Sequence, residues 1–184
     1  GGSVALLRRS PALARRHWPQ AMRVVAYYDS LRRSTRIDEN RAPDRVHFYG
    51  LLPPSISHEG YSAKPMHSYW DDLFALRGFR DAVYLAQVVG DPAAERRCKL
   101  IRDEFEHDLL ASVRAAMRIH GISYIPGCAD LGDFDATSTT IALTPVEAPL
   151  PDSTLRATFV RYDAFFRARE EGREPWEAFT PYEL

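Results

Sequence analysis

Apolar side chains recur every three or four residues over much of this chain, which is the spacing of a helix with one buried face. The first such stripe predicts a helix that begins near Pro11 or Ala12 and ends near Arg33. Pro19 falls inside this range, as a kink or as the true start of the helix. The apolar positions of the stripe are Ala21, Val24, Val25, Tyr28 and Leu31.

Two further helices are predicted in succession. The second begins between Ser68 and Asp72 and ends at Gly90. It is apolar on nearly all sides, which predicts burial on nearly all sides. The third has Asp91 as its N-cap and a proline at its first position, and it continues to about His120. Its apolar stripe is narrow, which is typical of an outer helix with one face in water.

The connecting segments are long and rich in proline and glycine. Residues 34–66 are predicted to be a loop, with a short strand or an extended run near 46–52. A second loop precedes a short buried helix over residues 136–143, which is made of small uncharged side chains. An amphipathic helix then runs from about Ser153 to Glu171, capped by Asp152 or Ser153. Loops this long within a compact domain are usually functional.

The order of these elements repeats once. A loop, an aromatic–aspartate cluster, a buried helix and an outer helix occur around Trp70 and again around Phe134. Such a unit cannot bury both of its faces alone, so neighbouring units must stack against it. We therefore expect an all-α fold, namely part of an α/α toroid built of helical hairpins with long loops at one end.

A closed ring of six hairpins needs roughly twice the length of this chain. We therefore expect residues 1–184 to form a single partial toroid domain of a larger protein. On this interpretation the first residues are a tag or the edge of a fragment, and the C-terminus is truncated.

Composition argues against several classes of function. The 24 lysines and arginines nearly balance the 25 aspartates and glutamates. The net charge of −1 provides no field that would attract nucleic acid or an anionic membrane. No apolar run is long enough to span a bilayer. Two cysteines cannot form a disulfide framework, and Cys98 falls within a helical pattern as a small core residue.

Metal and cofactor signatures are weak. His47, His58 and His67 share one loop, but their spacing fits no common ligand pattern. Glu104 and His107 have the spacing of a metal-bridging helix, yet that chemistry needs a second copy, which the sequence lacks. No glycine-rich phosphate loop is present. We expect neither a metal nor a cofactor.

The strongest chemical signal is the run Tyr69-Trp70-Asp71-Asp72, at the point where a loop becomes a helix. An indole ring can cover the apolar face of a sugar, and a carboxylate can accept hydrogen bonds from neighbouring hydroxyls. The alternative is that Asp71 or Asp72 caps the helix while Trp70 belongs to the core. A related cluster, Asp133-Phe134-Asp135, precedes the next buried helix, where aspartates can also act as caps.

The run from Met66 to Phe79 resembles the Tyr-Trp-Asp segment of six-hairpin glycosidases, which include trehalases and glucosidase-like enzymes. In those enzymes the segment opens an inner helix, and its Trp and Asp line the subsite of the sugar that is cleaved off. The resemblance implies that Trp70 and Asp71 contact the sugar and that Tyr69 supports them. Residues 132–136 are more loosely similar to a second inner-helix start of that superfamily.

Two trehalase segments, Pro-Gly-Gly-Arg-Phe and Gln-Trp-Asp-x-Pro, are absent from the chain. The resemblance therefore implies a six-hairpin glycosidase and not specifically a trehalase. Toroid glycosidases generally invert, with an acid and a base about 6.5–9.5 Å apart. Glu59, in a loop beside His58 and Tyr61, is the candidate for proton transfer, although an exposed loop glutamate is the alternative. The family's acid and base usually come from later hairpins.

The predicted function is inverting hydrolysis of a glycosidic bond by a fragment of a carbohydrate-active enzyme that is inactive alone. Its partners would be an oligosaccharide or glycoside substrate and the remaining hairpins of the parent protein. Arg77 is expected to orient the carboxylates. The predicted substrate-binding residues are Tyr69, Trp70, Asp71, Asp72, Arg77, Asp133 and Asp135.

A hypothesis from another class is a non-catalytic helical-repeat scaffold that binds a protein, peptide or glycan. It predicts that Trp70 is fully buried and that the loop carboxylates are scattered. The glycosidase hypothesis instead predicts an exposed aromatic face beside carboxylates that converge on one concave mouth.

Overall fold

The structure, a computed structural model, describes residues 10–56 and 64–174, without the side chains of residues 137–139. The described residues form an all-α fold, as predicted. Two short 3-10 turns, Asp38–Arg41 and Val46–Phe48, lie in the loop between the first two helices. The α-helices are α1 (Pro11–Ser34), α2 (Tyr69–Val89), α3 (Pro92–His120), α4 (Ala136–Leu143) and α5 (Asp152–Glu170). The toroid arrangement itself stays a prediction.

The helix ends follow from local side-chain chemistry. Ser10 and Asp91 accept backbone N–H groups in the first turns of α1 and α3, at 3.4 and 2.9 Å. Gly90 and Gly121 end α2 and α3 with φ angles of 81° and 67°, in the left-handed region that glycine tolerates. Pro19 lies inside α1, which begins at its first predicted position.

Two local predictions are wrong. The run 46–52 contains a 3-10 turn over Val46–Phe48 and no strand. Leu51 and Leu52 are buried in the core, and the described residues contain no strand that could pair with this run. The described residues contain only two isolated bridges, Ser55–Met66 and Ser68–Cys128. Asp152 is the first residue of α5 and not its cap, since Pro151 occupies the cap position.

The core is built on the hairpin of α2 and α3. Phe79 and Phe105 meet edge to face across it, with ring centroids 5.3 Å apart. Cys98 is 1% exposed within this core, as predicted. α2 buries one broad face, but Gly78 and Gln87 are exposed, so the prediction of burial on nearly all sides is too strong. Gly78 lies on the side of α2 that lines a groove, and Gln87 lies on the opposite side.

The long loops before α2 and before α4 meet at one end of the bundle. The N–H of Tyr69 donates to the carbonyl of Gly127 at 3.0 Å, and the N–H of Ala129 donates to the carbonyl of His67 at 3.0 Å. The Ser112 hydroxyl on α3 donates to the carbonyl of His47 in the first loop at 2.5 Å. These bonds hold the start of α2 against the loop that precedes α4.

Candidate functional site

An open groove with a volume of about 1050 Å³ lies between α1 and α2. Trp70 and Asp71, on the first turn of α2, both line it. Ser55 from the preceding loop and Tyr28 from α1 line the same groove. Two of the predicted sugar contacts therefore share one concave surface.

Trp70 is half-buried and packs edge to face on Phe74, with ring centroids 4.8 Å apart at 64°. This contact fixes the indole from one side while part of the side chain stays accessible. A fully buried Trp70, which the scaffold hypothesis predicts, is not observed. Partial burial with a supported ring is what a stacking surface requires.

Asp71 is oriented by the loop before α2. The Ser55 hydroxyl donates to Oδ2 of Asp71 at 2.5 Å. Ser55 is itself fixed, because its N–H donates to the carbonyl of Met66 at 2.9 Å and its carbonyl accepts the Met66 N–H at 3.0 Å. The carboxylate is thus held in one place in the groove wall, and Oδ1 can accept hydrogen bonds from a ligand.

Tyr69 and Asp72 lie behind this surface and not on it. Tyr69 is 0% exposed, and its hydroxyl is 2.7 Å from the Ser112 hydroxyl. Asp72 is 1% exposed and accepts the N–H of Leu52 at 2.8 Å. Neither side chain has surface to offer a ligand, so the prediction of direct substrate contacts is wrong for both, while the position of Tyr69 behind Trp70 and Asp71 fits the support that the resemblance implies.

Burial also changes the pKa of the Asp72 carboxyl group. Loss of hydration raises the pKa of its carboxyl well above the ordinary value, and neighbouring Asp71 adds to the rise, while the Leu52 N–H opposes it. Oδ2 of Asp72 is buried without a hydrogen-bond partner. The two adjacent carboxyl groups therefore occupy very different environments, one in the open groove and one in the core.

Arg77 does not orient these carboxylates. Its Nη1 donates to the carbonyl of Pro145 at 2.9 Å, and its Nη2 pairs with Asp81 at 3.1 Å. Both contacts lie along α2 and the connection that follows α4, away from the first turn of α2. The prediction for Arg77 is wrong because its distant partner is a backbone carbonyl 68 positions away in the sequence.

The second aromatic cluster has a different environment from the first. Phe134 packs against Tyr124 and Phe165, at centroid distances of 5.9 and 5.4 Å. Asp133 accepts the N–H of Cys128 at 3.3 Å. Among the described residues that line the groove there is neither Asp133 nor Asp135. The two clusters are similar in sequence but are not brought together as ligand contacts.

Glu59, the candidate for proton transfer, lies outside the described residues, as do His58 and Tyr61. Its catalytic assignment stays a prediction. In the sequence it follows Ser55 by four positions (59 − 55), and Ser55 contacts Asp71.

The sequence places His47 and His67 in one loop, but it did not reveal that they cluster with His120 and Asp130 at the junction of the two loops. Nδ1 of His67 lies 3.2 Å from Asp130, which also accepts the His67 backbone N–H at 2.7 Å. Phe48 stacks on the His67 ring at 4.4 Å. The rings of His47 and His120 meet edge to face at 6.1 Å. Spacing could not predict this cluster, because its members come from three separate segments.

Burial and the neighbouring groups shift the pKa values of His47 and Asp130 in this cluster. Burial lowers the pKa of His47, and the neighbouring His120 lowers it further. Burial opposes ionisation of Asp130, but the hydrogen bonds from His67 outweigh it and lower the pKa of that carboxyl. The described residues contain no group of histidine, cysteine, aspartate or glutamate placed to bind a metal ion.

Comparison of the chain with known protein families, with curated proteins and with solved structures finds no match. Within the described residues, no helix has both the length and the apolar character needed to cross a membrane.

Proposed function

We propose that this chain is part of a carbohydrate-active enzyme of the glycoside hydrolase type, in which Trp70 and Asp71 hold a sugar ring. The observation that supports the proposal is their shared position on one open groove. Tyr69 and Asp72 are buried immediately behind them and fix the first turn of α2. The resemblance to six-hairpin glycosidases supports the same assignment.

In this proposal the apolar face of the sugar lies on the Trp70 indole, and Asp71 accepts hydrogen bonds from ring hydroxyls. Inverting hydrolysis then needs one carboxylic acid to protonate the leaving oxygen and one carboxylate to activate a water. Glu59 is the candidate for one of these roles. The other would come from further hairpins of the parent protein, so the described residues bind the sugar but do not complete the chemistry.

Calorimetric titration with glycosides tests the proposal, both on this chain and on the parent protein. Trp70→Ala should weaken binding about tenfold or more, which corresponds to about 1.4 kcal/mol. Trp18→Ala is the matched control, because Trp18 is a half-buried tryptophan of α1 that does not line the groove. Equal affinities for Trp70→Ala, Trp18→Ala and the unchanged protein would reject the assignment.

Two observations favour the non-catalytic scaffold as a second candidate: among the predicted carboxylates of the described residues Asp71 alone lines the groove, and apolar side chains in the groove are exposed. Val24 and Tyr27, which line the groove on α1, are 49% and 61% exposed. Exposed apolar side chains in a groove are also what a docking peptide or helix would contact. The scaffold hypothesis predicts no Trp70-dependent sugar affinity, so the same titration separates the two functions.

A further inference from the structure

The groove is much longer than one sugar ring. Its lining positions on α1 extend from His17 to Leu31, which is fourteen residues (31 − 17) and, at 1.5 Å per residue, about 21 Å of helix. On α2 its lining extends from Trp70 to Leu85. A sugar ring on Trp70 would occupy only the end nearest the loops, which leaves most of the groove for whatever is bonded to that sugar.

The character of the lining changes along the groove. Beside Trp70 the Asp71 carboxylate and the Ser55 hydroxyl offer polar groups that suit a sugar, among apolar neighbours that include Leu52, Pro53 and Ile56. In the next section the walls are apolar or aromatic, with Val24 and Tyr28 on α1 and Phe74 on α2. A second sugar there would leave most of its hydroxyls without hydrogen-bond partners on these walls, which is unfavourable for binding.

Gly78 forms the floor of this middle section. It lines the groove, is exposed, and has no atom of the described residues within 4 Å of the place where a Cβ would be, its chain neighbours and the adjacent helix backbone aside. Glycine is less favourable than alanine within a helix, so this position keeps space open at some cost to the stability of α2. A large side chain at position 78 would enter the groove without colliding with the rest of the protein.

We propose that this middle section, formed by Val24, Tyr28, Phe74 and Gly78, binds an apolar aglycone, an alkyl or aryl group linked to the anomeric oxygen of the sugar on Trp70. The inference rests on the proposed function. Its basis is complementarity: the Asp71 carboxylate and the Ser55 hydroxyl lie beside Trp70, while the section formed by Val24, Tyr28, Phe74 and Gly78 carries no charged side chain and a single hydroxyl, and an apolar glycoside is polar and apolar in the same order. The ligand class is therefore an alkyl or aryl glycoside and not a linear oligosaccharide.

The test compares methyl and octyl glycosides of glucose, galactose, mannose and rhamnose, titrated below micelle-forming concentrations. Burial of two methylene groups is by itself about a tenfold gain in affinity, so the octyl compound of the preferred sugar should bind at least about tenfold more tightly than its methyl analogue. Gly78→Phe should fill the middle section and remove this advantage, while affinity for the methyl glycoside stays within about twofold.

Two control variants accompany Gly78→Phe. Gly78→Ala adds one methyl group and should keep the octyl advantage while raising the melting temperature, because alanine favours the helix. Gln87→Phe places the same ring at an exposed position of α2 that does not line the groove, and it should change neither affinity. Thermal melting of each variant shows that loss of binding does not reflect loss of the fold.

Three results would overturn the inference while leaving the proposed function in place. These are equal affinities for methyl and octyl glycosides, an octyl advantage that survives Gly78→Phe, and a linear trisaccharide that binds more tightly than the octyl glycoside and is lost in Gly78→Phe. A different result would overturn the proposed function as well: 1-octanol binds as tightly as octyl glycosides, and Trp70→Ala has no effect on either.

Discussion

The carboxyl group of Asp72 accepts the backbone N–H of Leu52 at 2.8 Å, and this bond joins the first turn of α2 to the middle of the loop that follows α1. Asp72 is 1% exposed, whereas Asp71 lines the open groove. The two neighbouring carboxyl groups therefore have different roles. Asp72 fixes the loop backbone from within the core, and Asp71 lies in the groove, where a ligand can reach it.

The Leu52 bond can be tested by replacing its acceptor. Asp72→Asn keeps an oxygen for the Leu52 N–H and should change the free energy of unfolding by less than about 1 kcal/mol. Asp72→Ala leaves that N–H buried without a partner and should cost about 1–3 kcal/mol. Urea denaturation near pH 4, below the range in which ionisation of Asp72 changes stability, measures both. Equal losses in the two variants would show that the hydrogen bond does not stabilise the loop.

Asp72 should also make stability depend on pH. Because burial raises the pKa of its carboxyl above the ordinary 3.8, the folded state keeps a proton that the unfolded state has already released. The free energy of unfolding should therefore fall as pH rises from about 4 toward the folded pKa. In Asp72→Asn this fall should be absent. If the unchanged protein and the variant give parallel stability curves over that range, the carboxyl is not perturbed as described.

His47 should make stability depend on pH in the direction opposite to that of Asp72. Burial and His120 lower the pKa of His47 below the ordinary 6.5, so the unfolded state takes up a proton first as the pH falls. Stability should therefore be complete above pH 6.5 and should decrease as pH falls below that value toward the folded pKa. The charged or titratable groups facing His47 are His120, Asp130, His67 and Arg45.

His47→Gln should remove this acid sensitivity. His17→Gln is the matched control, because His17 is exposed on α1 and is not among the groups that face His47, so this variant should keep the fall in stability below pH 6.5. Chemical denaturation at half-unit steps between pH 5 and 8 measures the difference. A His47→Gln curve that still falls below pH 6.5 as steeply as that of the unchanged protein would count against this explanation.

Substitution of Gly50 tests how closely the first loop packs against α3. The φ of Gly50 is +76°, and a Cβ there would collide with the carboxylate of Asp108, which pairs with Arg36 at 2.9 Å. Gly50→Ala combines backbone strain with overpacking and should cost about 2–4 kcal/mol. Gly90 has a similar φ of +81° but open space around it, so Gly90→Ala should cost about 1–2 kcal/mol, from strain alone. Equal losses in the free energy of unfolding for the two variants would show that the Asp108 side chain can move aside without a cost in stability.

Substitution of Arg32 tests the ion pairs that its buried guanidinium makes with Asp29 in α1 and with Glu104 in α3. Arg32 is 0% exposed and bonds to Asp29 at 2.8 Å and to Glu104 at 2.7 Å. Arg32→Ala leaves the buried Asp29 with Arg33 as its remaining partner, at 3.1 Å, and should cost about 1–3 kcal/mol. The control is Arg167→Ala, which removes an exposed pair with Asp163 and should leave the denaturation midpoint unchanged. Similar midpoints for both variants would contradict a structural role for Arg32.

Local chemistry made the helices predictable from the sequence. Asp91 caps α3 at its start, and Gly90 and Gly121 end α2 and α3 in a conformation that favours glycine. These signals act within a few residues of one another, so the pattern alone determines them. The short segment that contains Trp70 and Asp71 was singled out for the same reason, since both residues lie on one helix turn at the end of a long loop.

Contacts between distant segments were not predictable. Arg77 contacts Pro145 across 68 positions, and His67 contacts Asp130 across 63. No periodicity links residues that are brought together only when α2, α3 and the two loops pack. Asp72 shows the same limit on a smaller scale, because the sequence could not tell that its carboxylate turns inward to Leu52 while that of Asp71 lines the groove.

The most direct measurement for the central claim is to map where a glycoside contacts the protein, by ¹H–¹⁵N chemical shifts during titration with the methyl glycosides. We expect the indole N–H signal of Trp70 and the backbone amides of Ser55 and Asp71 to shift together and saturably, while the indole signal of Trp18 stays in place. Shifts confined to other surfaces, or no saturable shift at Trp70, would contradict the assignment of this groove as a sugar site.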